Sequence, residues 1–433
     1  MDEVQLGEEE IDKATEAAPA LISVHPFEKS IVVALGSELR VFDLERDCSV
    51  SLSDDSGSSD HSDSIRAICF DASGRLFASA GDDKLVKIWM TDSWFCMRTV
   101  CADKRVSAVA ISHDGLFVVF SDKFGIVWVV PLNVDGDSQA LDAVKPMPIL
   151  GHYCSIITTL KFSPDGRFIA SADRDFKIRV TIFPRNPLNG AHEIQSFCLG
   201  HTDFVSCLAF ICPSDYPQGF LLSGSGDSTV RLWDFITGGL LDTCEVGTAA
   251  GILKSDEIDK ENYPVVNNIC SSPDGSLIAV SIQSFHGVML LNCNHAARSL
   301  SVAKVVSMKE NYVPTSLCMS SLAQRVWTVM GASNQPSSGT VQLARVRVCS
   351  VSHKVPSPHG HDLVVLEDND IPSSAKLLSK LQGSLDATEI EATLALTTSA
   401  LKTAIHNLLT KKQYSMEKRD FRKRNRNDRK QKQ

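Results

Sequence analysis

One pattern occurs four times along the chain, and this internal repetition constrains the fold more than any other feature of the sequence. Each copy has a turn of the SPDG or DASG type, a strand of small residues, a turn that carries an aspartate, and a strand of alternating apolar and polar residues. The four clearest copies are CFDASGRLFASAGDDKLVKIW, AISHDGLFVVFSDKFGIVWVV, KFSPDGRFIASADRDFKIRVT and AFICPSDYPQGFLLSGSGDSTVRLWD. The alternation predicts β-strands, so each copy reads as strand, tight turn and strand.

An aspartate precedes a tryptophan by six positions in three of the copies. These pairs are Asp83 with Trp89, Asp122 with Trp128, and Asp227 with Trp233. By the same spacing Asp175 precedes Thr181, which indicates a copy whose tryptophan has been replaced. Gly-His pairs precede two of the units, at 151–152 and 200–201, and His61 holds the equivalent place in an earlier one.

These features resemble the WD40 family, and GHTDFVSCLAF followed by SGSGDSTVRLWD is close to its consensus. The resemblance implies an all-β propeller whose blades are four-stranded antiparallel sheets around a central channel. Weaker copies are ALISVHPFEKSIVVALGSELRVFDL, NNICSSPDGSLIAVSIQSFHGVMLLN and SLCMSSLAQRVWTVMGASNQPSSGTVQLARVRV. Together they predict about seven blades.

The recurrent histidine, serine and aspartate are residue types that a hydrolase triad would use. Because the set recurs from blade to blade, we interpret it as structural and not catalytic. The resemblance implies a hydrogen-bond network that ends on the tryptophan N–H and satisfies buried polar groups. The predicted network consists of His201, Ser223, Asp227 and Trp233, with Asp83, Trp89, Asp122 and Trp128 in other copies. We therefore predict no catalytic, cofactor or metal site on this chain.

The composition, with 43% hydrophobic and 22% charged residues, is ordinary for a soluble globular protein. No apolar run is long enough to span a bilayer. The start of the sequence, MDEVQLGEEEIDKA, lacks the apolar segment of a secretory signal. The 13 cysteines include no C-x-x-C pair, so we expect reduced thiols in a cytosolic or nuclear protein.

The net charge of −9 divides unequally along the chain. Residues 411–433 contain 11 Lys and Arg against 3 Asp and Glu, a net charge of +8, which leaves −17 on the remainder. This basic tail contains Lys418, Arg419, Arg422, Lys423, Arg424 and Arg426. We interpret the tail first as a nuclear targeting signal, second as an arm that contacts an RNA backbone, and third as a solvated tail. The expected location is the nucleus, with the cytoplasm as a further compartment.

The pattern divides the chain into five segments. They are an acidic, flexible N-terminus at 1–15, the propeller at 16–350, a loop-rich extension at 351–383, an amphipathic helix at 384–410 and the basic tail at 411–433. The apolar stripe of the predicted helix packs either on the propeller or on a partner, and the sequence leaves both open.

Two further blocks, ADRDFKIRV and FCLGHTDFVS, resemble the family of non-catalytic WD-repeat subunits of the tRNA (guanine-N7-)-methyltransferase complex, in its plant form. The resemblance is strong over 150–233, fair over the earlier blades and weak beyond 292. It implies a heterodimer in which this chain binds and stabilises the catalytic subunit, which methylates N7 of a guanosine in the tRNA variable loop. S-adenosylmethionine would then belong to the partner subunit. Contact with tRNA would arise mainly through the complex, and no membrane would be involved.

The same resemblance points to a partner-binding site in the copy without a tryptophan. Its candidate residues are Arg174, Asp175, Phe176, Lys177 and Arg179. Arg174 stands where the next copy has Gly226, and a bulky residue in a tight turn is a local cost that suggests a function. Asp175 is expected to keep the structural role in the turn. Phe176 replaces a residue that is often acidic in the family.

Two other classes of function remain as alternatives. A generic WD40 adaptor, such as a ubiquitin-ligase substrate receptor, usually carries W-D-x-R at a blade end, whereas Trp233-Asp234 is followed by Phe235 and Ile236. Direct RNA binding by the propeller is disfavoured by the net charge of −17 outside the tail.

Overall fold

The computed structural model of the chain describes residues 18–54, 60–132, 145–152, 155–213, 215–252, 263–308, 312–320, 325–333, 343–352, 362–371 and 373–382. Their strands form seven antiparallel sheets, and the first strand of each sheet contacts the first strand of the next around a closed ring. The prediction of an all-β propeller with about seven blades is confirmed.

The first three blades each have four strands. Blade 1 consists of β2 (Leu21–Val24), β3 (Ser30–Leu35), β4 (Glu38–Asp43) and β5 (Cys48–Val50). Blade 2 consists of β6 (Ile65–Phe70), β7 (Leu76–Gly81), β8 (Leu85–Met90) and β9 (Phe95–Cys101). Blade 3 consists of β10 (Val106–Ile111), β11 (Phe117–Asp122), β12 (Ile126–Pro131) and β13 (Met147–Gly151).

The next three blades repeat this arrangement. Blade 4 consists of β14 (Ile157–Phe162), β15 (Phe168–Asp173), β16 (Ile178–Ile182) and β17 (Ile194–Cys198). Blade 5 consists of β18 (Val205–Ile211), β19 (Phe220–Ser225), β20 (Thr229–Asp234) and β21 (Gly239–Glu245). Blade 6 consists of β22 (Val266–Ser271), β23 (Leu277–Ile282), β24 (Gly287–Asn294) and β25 (Ser299–Ser307).

Blade 7 takes a strand from each end of the described chain. It consists of β26 (Ser316–Met319), β27 (Arg325–Ser333), β28 (Leu343–Ser352) and β29 (Asp362–Val365), and β1 (Ala18–Pro19) also pairs with β27. The described helices are α1 (Val246–Ala249) and α2 (Ser374–Gln382), with short 3-10 segments at Pro187–Asn189 and Asp368–Asp370. None of them is long and apolar enough to cross a membrane.

Burial follows the position of each strand in its blade. Every residue of β15 and of β19, the second strands of blades 4 and 5, is buried, because these strands have neighbours within the sheet and blades on both faces. The fourth strand lies at the outer edge, and β17 contains exposed as well as buried residues. The turns between second and third strands lie at one end of the ring, together with the loops that enter each blade. We call this end the top face.

Polar side chains on or directly before the first strands connect successive blades. Their hydroxyl and amide groups donate to backbone carbonyls of the next blade: Thr158 Oγ1 to Val205 (2.5 Å), Ser206 Oγ to Val266 (2.5 Å), Asn267 Nδ2 to Pro314 (3.2 Å) and Thr315 Oγ1 to Ala20 (2.7 Å). These bonds run from blade 4 around to blade 1, so they lie across the closing seam of the ring.

The C-terminal boundary of the propeller differs from the prediction. Strand β29 and helix α2 both lie in 351–383, the segment predicted to be a loop-rich extension, so the boundary at 350 is wrong. The prediction failed there because β29 has only 4 residues and α2 only 9, too short to show a clear period. The predicted N-terminal segment 1–15, the helix at 384–410 and the tail at 411–433 lie outside the described residues.

Helix α2 packs across the seam between blades 1 and 7. Leu377 and Leu381 are fully buried in a core cluster that both blades share. The Arg40 guanidinium of blade 1 donates to the Leu381 carbonyl at 3.2 Å, and the Gln382 side-chain oxygen accepts from the Val346 amide of blade 7 at 3.0 Å. The helix therefore connects the first and last blades.

Candidate functional site

The polar residues of blade 5 form one continuous chain of hydrogen bonds. Trp233 Nε1 donates to Ser223 Oγ at 2.7 Å, and Ser223 Oγ lies 2.7 Å from His201 Nε2. His201 Nδ1 lies 2.9 Å from Asp227 Oδ2. Since the carboxylate can only accept, His201 donates from Nδ1 and accepts from Ser223 at Nε2. Ser223 has no exposed surface, so a substrate cannot reach its hydroxyl.

Blade 2 repeats this chain. Trp89 Nε1 donates to Ser79 Oγ at 3.1 Å, and His61 connects Ser79 to Asp83 through contacts of 2.8 and 2.7 Å. As in blade 5, the histidine comes from the loop that enters the blade and the aspartate from the turn between the second and third strands. The network therefore fixes the top-face loops to the body of blades 2 and 5.

Blade 3 departs from the predicted network in the position of its tryptophan. Trp89 lies three residues after the pair that closes the hairpin of β7 and β8, whereas Trp128 lies one residue after the corresponding pair of β11 and β12. Val130, fully buried, holds the place that corresponds to Trp89. The prediction that Trp128 is equivalent to the other tryptophans is therefore wrong.

Asp122, like Trp128, lies two positions earlier in its blade than the corresponding residue of blade 2. It is the last residue of β11 and pairs with Val106, as Gly81 pairs with Ile65 at the end of β7. Asp83, by contrast, lies in the turn that follows β7. Asp122 Oδ2 accepts from the half-buried Trp128 at 3.0 Å without an intervening histidine. Both residues are shifted by two positions, and for that reason their spacing of six matches the other copies.

The sequence predicted Asp175 as the structural aspartate of blade 4, but in the structure this aspartate is Asp173. His152 lies 2.8 Å from Asp173 Oδ2 and 2.7 Å from Ser171 Oγ. The other oxygen, Asp173 Oδ1, accepts from the amides of Asp175 and Lys177 at 2.9 and 3.1 Å. Asp173 ends β15, and from that place one carboxylate reaches both the histidine and the turn. Asp175 is thus not needed for the role predicted for it.

The turn of blade 4 presents its side chains on the top face. Phe176 is 42% exposed and has a φ of +70°, a conformation that is costly for a bulky residue. Lys177 is exposed, and Arg174 and Asp175 are half-buried. The Arg174 amide donates to the Ile156 carbonyl at 3.0 Å, which holds the turn against the loop that enters the blade. Backbone hydrogen bonds fix the turn, and Phe176 and Lys177 are exposed on it.

Arg179 lies in β16 at the boundary between blades 3 and 4. Its Nη1 donates to the Gly151 carbonyl at 2.9 Å, and its guanidinium lies 5.6 Å from the centroid of the Phe197 ring. Partial burial lowers the pKa of Arg179, while the charge of Asp173 acts in the opposite direction. Thr181 holds the tryptophan position of this blade, and its buried hydroxyl has no hydrogen-bond partner.

Apolar side chains next to this turn were missed by the sequence analysis. Phe197 is 42% exposed near the top end of β17, where it pairs with Arg179 of β16, and Leu199, directly after the strand, is 59% exposed. The signal was present, because both residues belong to the block FCLGHTDFVS. We call Arg174, Phe176, Lys177, Phe197 and Leu199 the blade-4 surface. Cations around exposed apolar side chains are typical of a protein-docking site.

The predicted residues of the basic tail, from Lys418 to Arg426, lie outside the described residues. The structure therefore describes one of the two predicted interaction sites, the turn of blade 4.

The buried aspartate of blade 5 leads to a prediction about acid stability. Burial alone would raise the pKa of Asp227, but hydrogen bonds from His201 and Thr229 lower it overall. A lowered pKa stabilises the fold above the ordinary aspartate pKa of about 4, and this contribution is lost as the pH falls further. We expect the difference in urea midpoint between the wild type and Asp227→Asn to shrink from about pH 6 to about pH 3. A difference that stays constant over this pH range would contradict a lowered pKa of Asp227.

Seven antiparallel blades, six of four strands and one of five, and the Trp–Ser–His–Asp hydrogen bonds of blades 2 and 5 define a β-propeller protein with WD40-like repeats, and this chain has that fold. The family model of the tRNA methyltransferase TRM82 WD40 domain matches residues 137–347, and that of the WD domain, G-beta repeat, matches residues 55–90. The first match contains the whole blade-4 surface.

Three curated relatives are named as a non-catalytic subunit of a tRNA methyltransferase. The chain is 36% identical over 245 residues to the tRNA (guanine-N(7)-)-methyltransferase non-catalytic subunit wdr4 of Danio rerio, an alignment that covers 55% of this chain and 53% of the relative. It is 36% identical over 187 residues to the human protein of that name, with 43% and 42% covered. The Dictyostelium discoideum relative is 31% identical over 243 residues, with 53% and 50% covered. The chain thus spans about half the length of these relatives.

Solved structures support the fold alone. The structure of U3-55K superimposes with a TM-score of 0.57 at 17% identity and covers 72% of this chain and 88% of that chain. The propeller domain of Myceliophteria thermophila Cps50 (Swd1) has a TM-score of 0.55 at 12% identity, with 72% and 92% covered.

Proposed function

We propose that this chain is the non-catalytic subunit of a tRNA (guanine-N7-)-methyltransferase and that it binds the catalytic subunit as a heterodimer. The observation that carries the proposal is the match of the TRM82 WD40 domain to residues 137–347, together with relatives that share the non-catalytic name. In this function the chain is a scaffold that stabilises an active conformation of its partner. S-adenosylmethionine binds to the partner, and the guanosine of the tRNA variable loop reacts there.

The blade-4 surface is the docking site in this proposal. Phe176, Phe197 and Leu199 supply exposed apolar area that association would remove from water. Arg174 and Lys177 add positive charge beside it, and a guanidinium can hold a partner carboxylate through two parallel bonds. An apolar centre with charged residues around it suits a protein interface.

The rigidity of the turn supports the same proposal. Asp173 accepts two turn amides, and the Arg174 amide is bound to the entering loop, so the outward side chains are held in place before binding. Less conformational entropy is then lost on association. The basic tail is assigned to nuclear targeting, and the complex is expected in the nucleus.

The charge-reversed variant Arg174→Glu with Lys177→Glu tests the docking site. We expect it to weaken association with the purified catalytic subunit by at least about thirty-fold, because two attractive contacts become repulsive. Isothermal titration calorimetry measures the affinity, and N7-methylguanosine formation on tRNA measures activity at the same protein concentrations. Circular dichroism melting checks that the variant remains folded.

The matched control is Lys29→Glu with Arg46→Glu. Both residues are exposed and lie in turns of blade 1 at the opposite end of the ring, so the variant has the same change of charge away from the docking site. We expect unchanged association. Equal affinities for both variants would place the docking site elsewhere, and a wild-type chain that neither binds nor activates the catalytic subunit would refute the proposed function.

A further inference from the structure

The seven first strands, β2, β6, β10, β14, β18, β22 and β26, line the central channel of the ring. The tryptophan position of each blade pairs with a residue of the second strand, and that residue pairs in turn with the first strand. The residue directly before this first-strand partner therefore holds an equivalent place in every blade. In blade 4 it is Lys161, whereas in the other six blades it is small, namely Ser23, Cys69, Ala110, Ala209, Cys270 and Cys318.

Lys161 is exposed, whereas every other residue that the structure describes on the seven first strands is buried or half-buried. Its ammonium group has no hydrogen bond and no ion pair within the described part of the chain. Since its six counterparts are small, the long side chain of Lys161 has room to extend into the channel. Water, and any small solute that enters the channel, can therefore reach this charge.

The position of this charge follows from its effect on four cysteines. Burial raises the pKa of Cys69 and Cys207 to about 12, and the positive charge of Lys161 acts against that rise at both thiols. Burial likewise raises the pKa of Cys270 and Cys318, and Lys161 again acts in the opposite direction. The four thiols belong to blades 2, 5, 6 and 7, so a charge near all of them lies close to the axis of the ring. Their raised pKa values keep these thiols neutral at pH 7, so none of them balances the charge of Lys161.

One carboxylate, that of Asp71, lies near this part of the channel. Burial and the charge of Asp71 both raise the pKa of Cys69, which places the two side chains close together. Asp71 is buried, and its oxygens accept from the Leu76 amide at 2.8 Å and from the Ser73 hydroxyl, so it is bound within its own turn. The described residues therefore leave the charge of Lys161 without an ion-paired carboxylate.

An unbalanced cation in a channel with neutral walls favours the binding of a small anion. The six positions equivalent to Lys161 carry no charge, and a cleft lined by one sign of charge concentrates the electric field inside it. A lysine ammonium group is a compact point charge with three N–H donors, which phosphate and carboxylate oxygens accept. The Thr159 hydroxyl lies on the same face of β14 two residues before Lys161, so it adds a neutral donor.

We propose that the central channel binds a small soluble oxyanion, a phosphate or a carboxylate, at Lys161. An ammonium group enclosed by seven strands suits a ligand of few atoms better than a macromolecule. A bound anion would lie near several blades at once, and because only the folded chain forms the channel, it would stabilise the closed ring. The proposal concerns the chain by itself and does not depend on the catalytic subunit.

Nuclear magnetic resonance of the full chain with isotopically labelled lysine tests the site directly. The signal of the Lys161 side chain is the one that both Lys161→Met and Lys161→Arg remove. Inorganic phosphate and citrate are titrated separately at constant ionic strength. We expect at least one of them to shift this signal saturably at about millimolar concentrations, since a single charged contact gives a weak site. A response to phosphate alone would identify a phosphorylated ligand, and a response to citrate alone would identify a carboxylate.

Urea unfolding gives a second readout that needs no labelled residue. At about ten times its Kd, the anion should raise the folding equilibrium constant of the wild type about elevenfold. In Lys161→Met this gain should fall below about twofold, because the neutral side chain keeps the volume but not the charge. Lys161→Arg should keep most of the gain, which separates the loss of charge from a defect in packing.

The matched control is Lys84→Met, which removes an exposed lysine from the turn between β7 and β8, outside the channel. It should respond to phosphate and citrate as the wild type does. An equal response of Lys161→Met and the wild type would overturn the proposal, and so would an equal shift of the Lys161 signal with sodium chloride at matched ionic strength. The absence of a saturable shift with both anions would also overturn it.

Discussion

Replacing Trp233 with alanine is expected to lower the free energy of unfolding by about 3–5 kcal/mol. The indole is fully buried in the core cluster between blades 4 and 5, where it packs with Val205, Leu221 and Phe235. Its removal leaves a cavity and also removes the N–H that Ser223 Oγ accepts, so a buried hydroxyl loses a partner. Urea unfolding followed by circular dichroism measures the change.

Trp128→Ala is the matched comparison for this prediction. Trp128 is half-buried and stands outside the tryptophan position of its blade, so its loss should cost clearly less, about 1–2 kcal/mol. Equal losses for the two variants would contradict the two-residue displacement that distinguishes them.

Replacing both Leu377 and Leu381 with alanine is expected to lower the free energy of unfolding by at least about 4 kcal/mol. Both side chains are fully buried against blades 1 and 7, and their loss would detach α2 from the closing seam. Arg40 donates a hydrogen bond to the helix, and the Gln382 side chain of the helix accepts hydrogen bonds from blade 7. Both contacts depend on the position of the helix, so they would weaken as well. The blades on either side of the seam should then separate at lower urea concentrations.

Ser379→Ala provides the control within the same helix. Ser379 is exposed, so its replacement should change the free energy of unfolding by no more than about 0.5 kcal/mol. Limited proteolysis adds a second readout, because a detached helix is cleaved in the folded protein. Leucine variants that unfold like the wild type and resist proteolysis would show that the seam is stable without the helix.

The sequence predicted the repeated blade and its internal hydrogen bonds well where a copy followed the consensus. In blade 5, His201, Ser223, Asp227 and Trp233 lie in one hydrogen-bonded chain. The prediction failed in blade 3, where the spacing between residues was correct and the hairpin register was not known. It also failed in blade 4, where Asp175 has the expected register but Asp173 makes the hydrogen bond to the histidine. A shift of two positions keeps a side chain on the same face of the strand, so no pattern of alternation reveals it.

Helix α2 and the blade-4 surface show a second limit of prediction from the sequence. The helix has 9 residues and is stabilised mainly by its contacts with blades 1 and 7, which are distant in sequence. Phe197 lies on β17 and Leu199 directly follows it, and in the sequence both have the pattern of ordinary apolar strand residues. Only the position of β17 at the outer edge of its blade leaves them exposed.

The sequence by itself determined the class of fold, the number of blades and the turn most unlike its neighbours, because local repeats and turn residues are properties of short segments. The tertiary structure decided which aspartate serves blade 4, where the propeller ends and which apolar residues surround Arg174 and Lys177. These features depend on strand register and on packing between segments far apart in the chain, and no short segment contains that information.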